Sequence, residues 1–374
     1  MNKTFHANDF HYNACVGHNG NPDISTYALG YYETVTLLLN STLKYKTTLD
    51  AIIYPIVYSA RHYIELTLKH QLKELIRINT IINSNTNSAV FAIHNISILW
   101  NELKRLCACD PRYDQLISKT DEYIIDFIEI DDNGETFRYP YSNENNKYLT
   151  ELYCIDVSDF GKRFIELHSN LYEFVELTSM LVQEYKLKSF VAGKSRFEIE
   201  EIAKRLPTIE TWTQESFSPT KEKIKTDFSI SSNQLTKIIT FIKSHREFSS
   251  IINNEIKIAE LSGDDLIWFL SAYYEYLANR NEYEFYPYLQ ETINKICHKL
   301  NKRQIASLSE LYEIGYFDLY SEAYDNGLKS KLLETKSELV RCYLLNNGVV
   351  KEKIFLGLRI TGQKSLIQFC EDQE

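Results

Sequence analysis

"LDAIIYPIVYSARHYIELTLKHQLKELIRIN", residues 49–79, decides the fold class. Ile53, Ile56-Val57, Ala60, Ile64, Leu68, Leu72 and Leu75 recur every three or four positions and lay one apolar stripe along a helix. Asp50 sits in the first turn, where the helix dipole favours a negative charge. The same periodicity predicts helices on either side. One runs from Ser25 to about Tyr45, with Tyr31, Val35 and Leu38-Leu39 on one face, and another from His94 to Leu106, with Ile96, Leu99-Trp100 and Leu103. Two more are expected over 112–130 and 157–188. Residues 1–24 read as an irregular arm and 82–90 as a loop. Asn133-Gly134 and Pro140 make 131–146 a turn region.

Farther on, Gly193, Pro207 and Pro219 weaken the pattern, and residues 191–227 read as an interdomain linker. Helical spacing returns over 232–242, 264–280, 287–300, 304–314 and 327–345. The expected fold class is therefore all-α: a helical bundle over 25–190 and a second all-helical domain over 228–374. Bulk composition agrees. Of 374 residues, 44% are hydrophobic and 25% charged, with only 12 glycines and 7 prolines, which favours long helices over a turn-rich β protein. The aromatic run Trp268-Phe269, Tyr273-Tyr274, Tyr276, Tyr283, Phe285-Tyr286 and Tyr288 reads as core or a protein contact.

The net charge of −10 disfavours a general nucleic-acid coat or a membrane-surface binder, although a local basic groove fits an acidic exterior. No apolar run opens the chain and none reaches a membrane-spanning length, so a cytoplasmic protein with no membrane partner is expected. The seven cysteines are odd in number and scattered, as expected of free thiols. His6, His11, Cys15 and His18 are metal-ligand types at a spacing that matches no zinc pattern, so no metal and no cofactor is expected. There is no phosphate-binding glycine loop, nucleophile elbow or His-Glu-x-x-His motif.

Two polar constellations stand out. Arg61, Glu65 and Lys69 fall at i, i+4 and i+8 in the strongly apolar helix. They read as an ion-pair ladder or as part of a polar pocket, faced by His94, that binds an anion or nucleotide. Arg138 in "FRYP" (137–140) either anchors its loop or touches phosphate. The second constellation is Arg163 and His168, five apart in the 157–188 helix. Read alone, Arg163 pairs with Glu166 on a solvated face, and His168 is a core histidine.

The succession "YPIVYSARHYIELTLKHQL" (54–72), "HNISILWNELKRL" (94–106), "DDNGETFRYP" (131–140) and a long helix with Arg and His resembles the HEPN superfamily of prokaryotic helical proteins over roughly residues 10–188. HEPN ribonucleases carry Arg, four to six residues, then His early in their last core helix. The resemblance thus implies Arg163 and His168 as the catalytic pair of a metal-independent endoribonuclease, in antiphage defence or a toxin–antitoxin system. Phe164 departs from the polar residue usual after the Arg. Positions five apart in a helix lie about 140° and about 7.5 Å apart, so one small pocket cannot hold both side chains squarely. A homodimer is expected, its two antiparallel helices gathering two Arg and two His around RNA. An antitoxin or defence-system protein is the other expected partner. The rival expectation is a non-catalytic HEPN-like scaffold that binds a protein or nucleotide.

Overall fold

A computed structural model describes residues 4, 13–44, 48–83, 92–214, 217–279, 285–346 and 348–373. The chain divides into two compact units, Met1–Lys188 and Ser189–Glu374, both built of helices. The expected all-α class is found. Among the described residues no helix is long and apolar enough to cross a membrane. His6 and His11 lie outside the described residues, as does most of the loop expected over 82–90.

The N-terminal unit contains α1 (Ile24–Lys44), α2 (Leu49–Asn83), α3 (Ile96–Cys107), α4 (Tyr113–Asp131) and α5 (Val157–Lys186). α2 is the central strut, packed on α1, α3 and α5, while α4 packs on α3 and α5. Its apolar stripe is the core of the unit: Ile56, Ala60, Ile64, Leu68, Leu72 and Leu75 are fully buried. Val35 of α1, Leu99 and Trp100 of α3, Ile124 of α4, and Phe164, Leu167 and Phe174 of α5 are buried as well. Helix starts are set by side chains. Asn95 caps α3 by accepting from the Ile98 amide, and Asp156 caps α5 by accepting from Ser158 and Asp159.

The C-terminal unit corrects the linker expected over 191–227. That segment holds α6 (Arg196–Arg205) and α7 (Phe217–Asp227), which pack with α8 (Ser232–Ser244) and α9 (Arg246–Ile251). Ile199, Ile202, Ala203, Phe217 and Ile224 share a buried cluster with Leu235, Ile238, Ile242 and Phe248. Two local features explain the difference. Ser195 and Glu198 form a reciprocal capping box that starts α6, and Pro219 falls in the first turn of α7, where its missing amide costs nothing.

The rest of this unit comprises α10 (Gly263–Asn279), α11 (Phe285–Lys299), α12 (Lys302–Phe317), α13 (Ala323–Lys331), α14 (Lys336–Leu339, continuing as a π-helical turn over Val340–Leu344), α15 (Val350–Ile360) and α16 (Lys364–Glu371). The helix expected over 327–345 is thus interrupted, and Thr335 caps the restart with Glu338. α12 and α15 cross at glycines. A Cβ on Gly315 would lie 1.9 Å from the Lys353 carbonyl oxygen, and one on Gly357 would lie 2.1 Å from that of Leu311. Phe269, Tyr273 and Tyr276 of the aromatic run are core, and Tyr283 lies outside the described residues.

Candidate active site

Arg163 and His168 leave α5 toward different neighbours. Arg163, half exposed, faces α4. Its Nη2 donates to Asp126 Oδ2 at 2.6 Å, and its guanidinium lies 4.5 Å over the Tyr123 ring. The expected pairing with Glu166 is not formed, because Glu166 accepts from the Tyr123 hydroxyl instead. Asp126, Asp156 and Asp159 share with Arg163 the wall of a 290 Å³ cavity that is otherwise largely apolar. This is acidic ground, poorly suited to a phosphate. His168 faces α1 and α2. Its Nδ1 is 2.7 Å from the Tyr63 hydroxyl, and its ring stacks on Tyr32 at 3.6 Å. Burial pushes the His168 pKa down and so favours neutral imidazole. Phe164, between them, is 2% exposed and packs against Tyr32, Tyr63 and Phe160.

The other constellation does come together. Arg61 is 1% exposed and four of its five N–H groups are engaged. Nη1 reaches Glu65 Oε2 at 2.6 Å, Nε reaches the Asp131 carbonyl at 3.0 Å, and Nη2 reaches the carbonyls of His94 and Asp132. It is a staple that holds the start of α3 and the end of α4 onto α2. Four of the five N–H groups of Arg61 are thus spent on the scaffold, and one Nη1 hydrogen lies outside these bonds at the pocket wall. The turn after α4 fits over this guanidinium. Gly134 adopts φ +79°, and a Cβ there would sit 2.9 Å from Arg61 Cζ.

Glu65, 2% exposed, is the hub. Its Oε1 accepts from Lys69 Nζ at 2.9 Å and His94 Nδ1 at 2.8 Å, while Oε2 takes Arg61 and lies 3.8 Å from His62 Nδ1. Burial opposes ionisation of Glu65. The donors around it (His62, Lys69, Arg61 and His94) more than offset that and hold its carboxyl far below the usual range. Lys69 is buried beside the hub and does not line the pocket outside it. The ion-pair reading of Arg61, Glu65 and Lys69 is thus found, and an open pocket lies beside them.

That pocket has a volume of about 430 Å³ and is lined by Tyr58, Arg61, His62, Glu65, residues 93–95, residues 133–135 and Arg138. Three of its side chains can act on a ligand. His94 is 70% exposed, His62 is 25% exposed, and Arg138 is exposed, lying 5.6 Å over the Tyr58 ring and 5.1 Å over that of Tyr139. With His94 Nδ1 donating to the Glu65 carboxylate, the outer nitrogen, Nε2, is the one left to face a ligand in the pocket, and it carries the lone pair in the neutral ring. His62 is the residue that sequence reasoning missed. Its signal is simple: it stands at i−3 from Glu65 and i+4 from Tyr58, so helix geometry puts it on the hub's face.

The chemistry available is proton transfer by two imidazoles beside an exposed guanidinium, all within one unit. No family model, no curated protein and no solved structure matches the chain.

Proposed function

We propose that the N-terminal unit is a metal-independent endoribonuclease, and that its reacting centre is the His62–Glu65–His94 pocket with Arg138. One observation carries this reading: a single buried carboxylate lies against Nδ1 of both histidines, and both rings line the same open pocket. Transphosphorylation of RNA needs such a pair. His94 Nε2 removes the proton from a ribose 2′-hydroxyl as that oxygen forms a bond to the adjacent phosphorus. His62, in its protonated form, gives a proton to the departing 5′-oxygen as the P–O5′ bond breaks. The products are a 2′,3′-cyclic phosphate and a 5′-hydroxyl, and no oxidant or metal is consumed. Arg138 offers a planar, permanently charged fork for the phosphate oxygens. Glu65 fixes the His94 tautomer and steadies the imidazolium that forms, the role a buried carboxylate plays in other hydrolytic sites.

This centre is complete in one chain, whereas the Arg163–His168 pair needs a second copy to converge. The HEPN resemblance implies the same reaction class through Arg163 and His168 rather than through this centre, and a defence or toxin–antitoxin setting rests on that resemblance alone. The test is cleavage of labelled RNA by purified protein with EDTA present. Wild type should give cyclic-phosphate ends, and His94→Ala or His62→Gln should slow cleavage by about 10²- to 10⁴-fold. Arg163→Ala should cleave like wild type. A preparation that never cleaves, or histidine variants as fast as wild type, would overturn the reading. The second reading is a non-catalytic helical scaffold, and the Arg163–Asp126 ion pair speaks for it only against catalysis by the Arg163–His168 pair. It predicts nucleotide or protein binding at the same pocket with no cleavage.

A further inference from the structure

The C-terminal unit carries a second polar pocket, of about 380 Å³, between α7 and α8. Its chemistry is unlike the rest of this acidic chain. Lys221, Lys225 and Lys243 line it together with Trp212, Phe217, Ser232, Thr236 and a single acid, Glu222. Trp212 and Phe217 stack at 4.8 Å with planes 13° apart, and the Trp212 indole is fixed by donating to the Pro207 carbonyl at 2.9 Å. Each outer ring carries an ammonium: Lys221 Nζ is 4.2 Å from the Phe217 centroid, and Lys243 Nζ is 4.7 Å from that of Trp212. Glu222 is taken by Lys225 at 2.7 Å. Among the described residues no carboxylate pairs with Lys221 or Lys243.

Among the described residues these two ammoniums are therefore held by ring quadrupoles rather than by acids, which leaves their charge available to an anion. From this juxtaposition of a stacked aromatic pair and two lysines that pair with no described carboxylate we propose that the α7–α8 pocket binds single-stranded RNA, with backbone phosphates at Lys221 and Lys243. The pocket is too small for a duplex, and lysines that track a backbone are one of the means by which single strands are held. The choice of RNA rests on the nuclease reading above; the anionic character of the ligand does not.

The test uses the full chain and a fluorescein-labelled 2′-O-methyl RNA dodecamer, which lacks the nucleophilic hydroxyl and so reports binding alone. Anisotropy titrations over a range of salt should show Lys221→Ala/Lys243→Ala binding more weakly, on the order of tenfold at low salt. The slope of log affinity against log salt should flatten by about 1.4, roughly 0.7 for each lysine withdrawn from a single strand. Lys221→Arg/Lys243→Arg should retain both affinity and slope. The proposal is overturned if wild type does not bind the dodecamer, if the alanine variant matches wild type, or if polyglutamate competes as well as RNA. Binding that depends on the lysines without cleavage of ordinary RNA would remove the nuclease reading and leave the pocket. Cleavage with binding unmoved by the lysines would do the reverse.

Discussion

At the scale of single residues, the N-terminal unit turns on Glu65. A carboxylate 2% exposed between a guanidinium and an ammonium is tolerable only because each charge has a partner. Glu65→Gln keeps the shape and leaves Arg61 and Lys69 as buried, uncompensated cations, so at neutral pH it should cost about 3–5 kcal/mol, read from the urea midpoint. The pH dependence has a definite sign. The folded carboxyl titrates well below its unfolded value, so its contribution is full above about pH 4.3 and fades as pH falls from there toward the folded value. The stability gap between wild type and Glu65→Gln should therefore narrow as pH drops below about 4.3. A gap that stays constant through that range would contradict the ionised hub. The i, i+4 spacing makes the ladder legible in the sequence. That Arg61 is a staple is not legible there, because its acceptors are carbonyls of residues 33, 70 and 71 positions away.

At the scale of the helix, α5 shows why the sequence motif and the structure part. Its five-residue interval sends Arg163 to α4 and His168 to α1 and α2, while Phe164 fills the interior between Tyr32, Tyr63 and Phe160. Phe164 is thus a packing residue. Phe164→Ala should destabilise the unit by about 3–5 kcal/mol through the cavity it leaves. Arg163→Ala, which removes a half-exposed ion pair, should cost less than about 1 kcal/mol. Chemical denaturation of the two variants side by side checks the contrast, and equal costs would contradict this account of α5. Helix existence was legible from apolar spacing over α1 to α5. It was not legible over α6 and α7, where Pro207, Pro219 and a polar surface mask a short apolar face that only the α8–α9 partners make worth burying.

At the scale of the whole chain, each unit owns a separate core. The N-terminal one is organised on α2, and the C-terminal one has the α6–α9 cluster and the larger α10–α16 cluster. A unit of 188 residues with its own buried interior is within the usual range of independently folding domains. Residues 1–188 expressed alone should therefore give a helical circular-dichroism spectrum and a cooperative thermal transition. A broad, non-cooperative melt would show that the unit depends on the remainder of the chain. The proposed reacting centre lies wholly inside this fragment, so under that proposal the fragment should cleave a short RNA at the same rate as the full chain.

The sequence by itself determined the helical class, the extent of α1 to α5 and the faces they bury, since periodicity depends only on neighbours along the chain. It also placed Arg61, Glu65 and Lys69 on one side of α2. Tertiary structure alone decided which polar side chains are tied down and which are open. Whether a guanidinium or imidazole can act on a ligand depends on the acceptors that folding brings to it from distant positions, as Arg61 and His94 show in opposite ways.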